Sequence, residues 1–137
     1  MIHLLGGLLA ENVVDTPNGL AFVPLGGYRV PKRYQDKQGD GIHGVPFQCV
    51  SLLHLFGNKG EEFTIGMSIR TPGQTDLPEE QQAEKQYVLD EGVLSLRTII
   101  DTRVPFDGPG LYTVRFQLNG KFLVDLSVPV DWDEDDG

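Results

Sequence analysis

Four residues of types that perform nucleophilic catalysis lie close together in this sequence, namely His43, Cys49, Ser51 and His54. A thiol or hydroxyl becomes a nucleophile when a neighbouring imidazole accepts its proton, so these residues raise the alternative of a small hydrolase. The sequence has no Gly-x-Ser-x-Gly motif, which would expose a nucleophile on a sharp turn. On one strand, Cys49 and His54 differ by an odd number of positions and point to opposite faces. We therefore expect Cys49 to be a small buried residue and His54 a strand residue with a partly covered ring, and we assign no catalytic residue.

Metal chemistry has weak support. Residues 131–137, Asp-Trp-Asp-Glu-Asp-Asp-Gly, resemble the start of a calcium loop, but Asp136 stands where the turn glycine belongs and no bidentate glutamate follows. The candidate zinc ligands include no second cysteine for a Cys-x2–4-Cys pair and no two histidines at the His-x3–5-His spacing of zinc sites. These candidates are His3, His43, His54 and Cys49. We predict no metal and no cofactor, and an acidic tail exposed to solvent.

Two segments have the chemistry of a protein-contact site. The loop over residues 31–44 is longer than ordinary connections and combines positive charge with an aromatic ring. In the tail, Trp132 is flanked by carboxylates and could anchor in a basic groove of a partner, or else cap the fold. The residues predicted to contact a partner are Lys32, Arg33, Tyr34, Lys37, Trp132, Asp133 and Asp135.

Length and charge limit the classes of protein. The chain has 137 residues, 20 acidic against 11 basic, and a net charge of -9. This length suits one domain, which we place at residues 1–130, followed by the tail over residues 131–137. Such acidity disfavours nucleic acid and anionic membranes as partners. A single cysteine excludes an internal disulfide, and we expect a cytoplasmic protein.

Period-two patterns dominate the sequence. Apolar residues alternate with polar ones over residues 63–70 and 112–118, which predicts half-buried strands. Asn119-Gly120 favours a type I′ turn, so a further strand should return antiparallel. The residues expected on its inward face are Phe122, Val124, Leu126, Val128 and Val130.

Other extended segments complete the fold prediction. Residues 2–13 and 20–30 form a hairpin about a turn at 16–19, and strands cover 45–56 and 93–101. Residues 76–86 are predicted as at most one short helix, with Asp76 as its N-cap. Seven or eight strands of this kind predict an all-β, antiparallel, two-sheet sandwich. Pro24, Pro46 and Pro129 indicate that some sheet edges are blocked while others stay open.

Three pieces of the chain resemble a known family. They are residues 8–28, 47–70 and 105–130, the last containing Pro-Phe-Asp-Gly-Pro-Gly-Leu-Tyr, a strand, Asn-Gly and a closing strand. This pattern resembles a domain-of-unknown-function family of small bacterial and phage-encoded β-sandwich proteins of C2-like or immunoglobulin-like shape. The resemblance implies a sandwich and brings no catalytic residues with it.

These observations favour a non-catalytic protein-binding or assembly module. Its contact surface is the loop over residues 31–44, an acidic segment or a sheet edge, and its partner is another protein or a second copy, so that a homo-oligomer can form. A phage or virion structural component is one alternative, from the resemblance. A small hydrolase that uses Cys49 or Ser51 with a histidine is another. A further alternative is an acidic decoy that occupies a nucleic-acid-binding protein.

Overall fold

The computed structural model describes residues 1–31, 44–72, 83–105 and 108–133, and these residues form nine β-strands and no helix. The strands are β1 (His3–Thr16), β2 (Gly19–Pro24), β3 (Tyr28–Pro31), β4 (Gly44–Phe56), β5 (Glu61–Arg70), β6 (Ala83–Leu89), β7 (Val93–Pro105), β8 (Gly110–Leu118) and β9 (Lys121–Asp133). The all-β prediction is confirmed, and the described strands number one more than the upper expectation. In the part of the chain so described, no helix is long and apolar enough to cross a membrane.

The strands form two sheets in a sandwich-like arrangement. The order is β2-β1-β4-β7 in the first sheet and β3-β9-β8-β5-β6 in the second. Neighbours are antiparallel except β3 and β9, which pair in parallel from Tyr28↔Val130 to Pro31↔Asp133. The expectation of a purely antiparallel fold is therefore wrong at this one ladder. Side chains of both sheets meet in one apolar core, whose largest fully buried members include Tyr112, Phe47 and Phe116.

The hairpin of β8 and β9 forms as predicted about Asn119-Gly120. Both turn residues have positive φ, 51° and 81°, as a type I′ turn requires. Asn119 also binds the neighbouring strand, because its Oδ1 accepts a 2.9 Å hydrogen bond from the Thr64 N–H. One predicted inward residue, Phe122, is 61% exposed. A register shift opposite Phe116 and Gln117 turns Phe122 to the outer face, where its ring lies under the Arg115 guanidinium.

The predicted strand over residues 20–30 divides in two. β2 ends at Pro24, and after residues 25–27 the chain enters the other sheet as β3. Gly26 and Gly27 lie in this crossover, which a continuous strand cannot make. The first hairpin is thus shorter than expected, and residues 28–30 belong to the second sheet.

The prediction of a helix over residues 76–86 is wrong for residues 83–86, which are the part of this segment that the structure describes. Residues 83–86 belong to β6, which pairs antiparallel with β5. Residues 76–82, including Asp76, lie outside the described residues. Tyr87 on β6 stacks on Phe63 with ring centroids 5.7 Å apart, so packing against β5 outweighs the weak helix-start signals.

Tyr112 fixes the start of β8. Its ring is buried, and its hydroxyl donates a 3.0 Å hydrogen bond to the carbonyl of Gly108, four residues earlier. A buried phenol needs such a partner because an unpaired hydroxyl in the core costs free energy. The contact ties the turn before β8 to the core.

Candidate interaction surface

The far edge of β7 is the longest open strand edge in the described part of the fold. β7 has 13 residues and pairs with β4 in continuous register from Gly44↔Pro105 to Phe56↔Val93. Among the described strands, none pairs with its other side. The N–H and C=O groups along that side are positioned to accept an added strand.

The side chains of β7 alternate between core and solvent. Leu96 and Ile100 are buried, while Arg97, Ile99 and Asp101 lie on the outer face. Ile99 is 76% exposed, more than any other described large apolar side chain except Met1. The outer face of β7 therefore has an exposed isoleucine between one positive and one negative residue.

Both charged residues have partners within the chain. Arg97 Nη2 donates a 2.9 Å hydrogen bond to Asp15 Oδ1. Asp101 Oδ1 accepts a 3.1 Å hydrogen bond from Gln48 Nε2, on the neighbouring strand. These contacts hold the two side chains on the outer face beside Ile99.

The hairpin of β1 and β2 bends over the same face. β1 pairs with β4 only as far as Ala10↔Val50, and a register shift follows between Ala10 and Asn12. Beyond that shift, the bridge from Asp15 to Arg97 reaches past β4 to β7. A groove of about 240 Å³ results, lined by Gly6, Gly7, Leu8, Leu20, Phe22, Leu52, Leu53, His54 and Ser95. It is smaller than most ligand pockets, which measure about 300–1,000 Å³.

The structure separates the residues of the hydrolase alternative. Cys49 is a free, buried thiol on the inner face, and burial raises its pKa to about 11. Ser51 is also buried, with its Oγ 3.5 Å from the Thr98 carbonyl oxygen. His54 is exposed on the outer face, so its ring is less covered than expected. The predicted opposition of Cys49 and His54 is confirmed, and His43 lies outside the described residues.

Metal ligands do not gather in the described residues. No group of three or more His, Cys, Asp or Glu side chains in those ranges could hold an ion. Cys49 faces the core, and His3 and His54 lie exposed on β1 and β4.

Most of the partner-contact residues predicted from the sequence lie outside the described residues. This applies to Lys32, Arg33, Tyr34, Lys37 and Asp135, and only the backbone of Asp133 is described. Trp132 is half-buried and packs against the core, as a cap of the fold does. Its carbonyl accepts a 3.4 Å hydrogen bond from Arg29 Nη1, and its N–H donates to Asp131 Oδ1.

The prolines mark positions where a strand lacks a second neighbour. Pro24 ends β2, an outer strand. Pro46 lies in β4 beyond the last pair with β1, at Val50, and Pro129 lies in β9 just before the first pair with β3, at Val130. Proline has no N–H to donate, so these positions suit it.

No protein-family model matches this sequence, and no curated protein matches it. The resemblance to small bacterial and phage-encoded β-sandwich proteins stays a prediction.

Sequence reasoning missed the residues that make β7 distinctive. It placed residues 93–101 on a strand but did not single out Arg97, Ile99 or Asp101. The signal was present, because period-two alternation puts these three residues on one face and Leu96, Thr98 and Ile100 on the other. What the sequence lacked was the information that β7 lies at a sheet edge.

Proposed function

We propose that this chain is a non-catalytic protein-binding or assembly module that accepts a strand from its partner along the open edge of β7. The observation that carries the proposal is the length of this edge together with the exposure of Ile99 at its centre. Strand addition uses main-chain hydrogen bonds for affinity and alternate side chains for specificity.

The other described outer strands are shorter than β7. β2 has 6 residues and ends in a proline, and β3 has 4 and also ends in a proline. β6 has 7 residues and includes Lys85, a residue typical of guarded edges. β7 has 13 residues, with no lysine and no proline before its last position. A strand edge of this length without a lysine favours a role in association.

We also infer that the two sheets form an immunoglobulin-like sandwich. Three observations support it: the strand order, the parallel pairing of β3 with β9, and the Tyr112 hydroxyl bonded to a backbone carbonyl upstream. The last resembles the tyrosine corner of that fold. In such sandwiches the outer strands and the end loops are the surfaces open to a partner.

Other parts of the sequence-based hypothesis stay predictions. A contact through Lys32, Arg33, Tyr34 and Lys37, or through the acidic tail, is compatible with an edge that binds at the same time. The phage or virion structural role is one form of assembly that the family resemblance implies. The cytoplasmic location likewise stays a prediction.

Affinity capture of the full chain tests the proposal. A tagged copy is expressed in the source cells together with an untagged copy, and retained proteins are identified by mass spectrometry. Ile99→Lys in the tagged chain places a charge at the centre of the β7 edge. The tagged chain should then no longer retain the partner protein or the untagged copy. The matched control is Val88→Lys, an equally simple change of an exposed apolar residue on the edge strand β6, and it should preserve retention. Equal retention by the native chain and by Ile99→Lys would contradict the proposal.

A further inference from the structure

We propose that the partner at this edge is a second copy of the chain, joined by antiparallel pairing of β7 with itself about a two-fold axis at Ile99. This inference rests on the proposed function and names the partner of the same edge. Two-fold interfaces are self-complementary, since each residue that contacts a second residue is contacted by that residue in return. β7 satisfies this condition because Ile99 lies at its middle, and because the oppositely charged Arg97 and Asp101 lie two residues to either side of Ile99.

Ile99 is the middle residue of β7, with six residues on each side within Val93–Pro105. A register with Ile99 opposite the partner's Ile99 therefore pairs all 13 residues of both strands. The two isoleucines then lie directly opposite each other on the outer face, where Cβ atoms are about 4.5–5.5 Å apart. Each isoleucine would then cover part of the other isoleucine, whose side chain is 76% exposed in the single chain.

The same register matches opposite charges twice. Arg97 lies opposite the partner's Asp101, and Asp101 lies opposite the partner's Arg97. Both residues share the outer face with Ile99, so the two ion pairs flank the central isoleucines. A shift by two residues in one direction puts Arg97 opposite the partner's Ile99, and in the other direction opposite Arg103 of the partner subunit. All three registers are two-fold symmetric, and of the three the one centred on Ile99 alone pairs Arg97 with an acidic residue.

The contacts inside each chain leave room for these pairs. Arg97 uses one of its five N–H donors on Asp15. Asp101 accepts the Gln48 hydrogen bond on Oδ1, so Oδ2 is available to a second donor. The internal contacts thus orient the two side chains without using up their hydrogen-bonding capacity.

A charge exchange tests this register. Sedimentation over a range of concentrations gives the dimer dissociation constant of the full chain. Arg97→Glu or Asp101→Arg alone places like charges opposite each other twice, so each should raise this constant by about tenfold or more. The double variant restores opposite charges and should recover most of the affinity. Within one strand, residues 97 and 101 are about 13 Å apart, so they cannot restore each other without the second chain.

An Asp15→Asn background is used for all four proteins. Asp15→Asn removes the ion pair between Asp15 and Arg97 from every protein compared. Loss of this ion pair therefore does not contribute to the difference between variants. A double variant as weak as the single variants would overturn the register.

A disulfide gives an independent readout. Ile99→Cys should form a covalent dimer under mild oxidation, whereas Val88→Cys on β6 should not. The native thiol does not interfere, because Cys49 is buried. Equal crosslinking by both variants would contradict the proposal.

The outcomes separate this inference from the proposed function. A native chain that sediments as a monomer at every concentration overturns the second-copy partner. If Ile99→Lys then still abolishes capture of a different protein, the binding role of β7 stands. If the native chain is a monomer and Ile99→Lys also captures the same proteins as the native chain, both proposals fail.

Discussion

Arg97 on β7 and Asp15 on β1 form an ion pair, with 2.9 Å between Nη2 and Oδ1, although β4 lies between their strands in the sheet. The pair holds the bent hairpin of β1 and β2 over the outer face of the first sheet. Asp15 is largely exposed and Arg97 is one-third exposed, so solvent screens their attraction.

We expect Asp15→Asn to lower the free energy of unfolding by less than about 1 kcal/mol, as for other exposed ion pairs. Urea denaturation at low and high salt measures it, and the difference from the native protein should shrink as salt rises. Glu11→Gln, on the same strand, is the control for a general effect of net charge. A loss several times larger would show that the bridge supports more than the hairpin.

Tyr112→Phe should destabilise the protein because it removes the hydrogen bond from the Tyr112 hydroxyl to the Gly108 carbonyl. Removing the hydroxyl leaves the Gly108 carbonyl without this donor, which costs about 1–3 kcal/mol when the group is buried. Denaturant unfolding monitored by fluorescence of Trp132 measures the change. Tyr87→Phe, on the outer strand β6, is the matched control and should cost less. Equal losses for the two variants would contradict the role given to the Tyr112 hydroxyl.

Burial of Cys49 should protect its thiol and make stability depend on pH. Its pKa is raised from 9.0 to about 11, which lowers the thiolate fraction about 100-fold near pH 8. Alkylation by iodoacetamide should therefore be at least that much slower in the folded protein than in urea. Because the folded pKa is the higher one, this thiol favours the folded state below pH 9, and that contribution is lost between pH 9 and 11.

Cys49→Ala isolates this effect from other groups that titrate in the same range. The free energy of unfolding should fall more steeply for the native protein than for Cys49→Ala between pH 9 and 11. Parallel curves, or equal alkylation rates in the folded and unfolded states, would show that the thiol is accessible.

The bidentate contact of Arg115 with Asp125 should contribute stability that is lost in acid. Arg115 Nε and Nη2 donate to the two carboxylate oxygens at 2.8 and 3.0 Å. These hydrogen bonds, with the charge of Arg115, hold the pKa of Asp125 below its ordinary value of 3.8. The contribution is thus present above pH 3.8 and disappears as pH falls through the lowered pKa.

Asp125→Asn tests this pH dependence. We expect it to cost about 1 kcal/mol at pH 7 and progressively less as the pH is lowered towards 2. Glu84→Gln on β6 is the control for an exposed acidic residue. A cost for Asp125→Asn that does not change with pH would contradict the ion-pair explanation.

Local signals in the sequence predicted the local structure well. Asn119-Gly120 gave the hairpin because both residues tolerate positive φ. Alternation placed Cys49 and His54 on opposite faces of their strand, as the structure has them. These features depend on backbone sterics and strand period, which neighbouring residues determine.

The predictions were wrong where contacts between residues distant in the sequence determine the local structure. Phe122 turns outward because of a register shift, and residues 83–86 form a strand because β5 pairs with them. The parallel ladder of β3 with β9 joins residues about 100 positions apart, and no local pattern encodes it. The interaction surface escaped notice for the same reason, since an edge is a property of the whole sheet.

That ladder also limits the order in which the chain can fold during synthesis. β9 lies between β3 and β8, so the second sheet lacks an inner strand until residues 121–133 have been made. Until then β3 has no partner in its sheet, and the nascent chain exposes the apolar residues that this sheet later covers. Contacts of such long sequence separation form slowly. We therefore expect the newly made chain to be most prone to aggregation in the interval before β9 is complete.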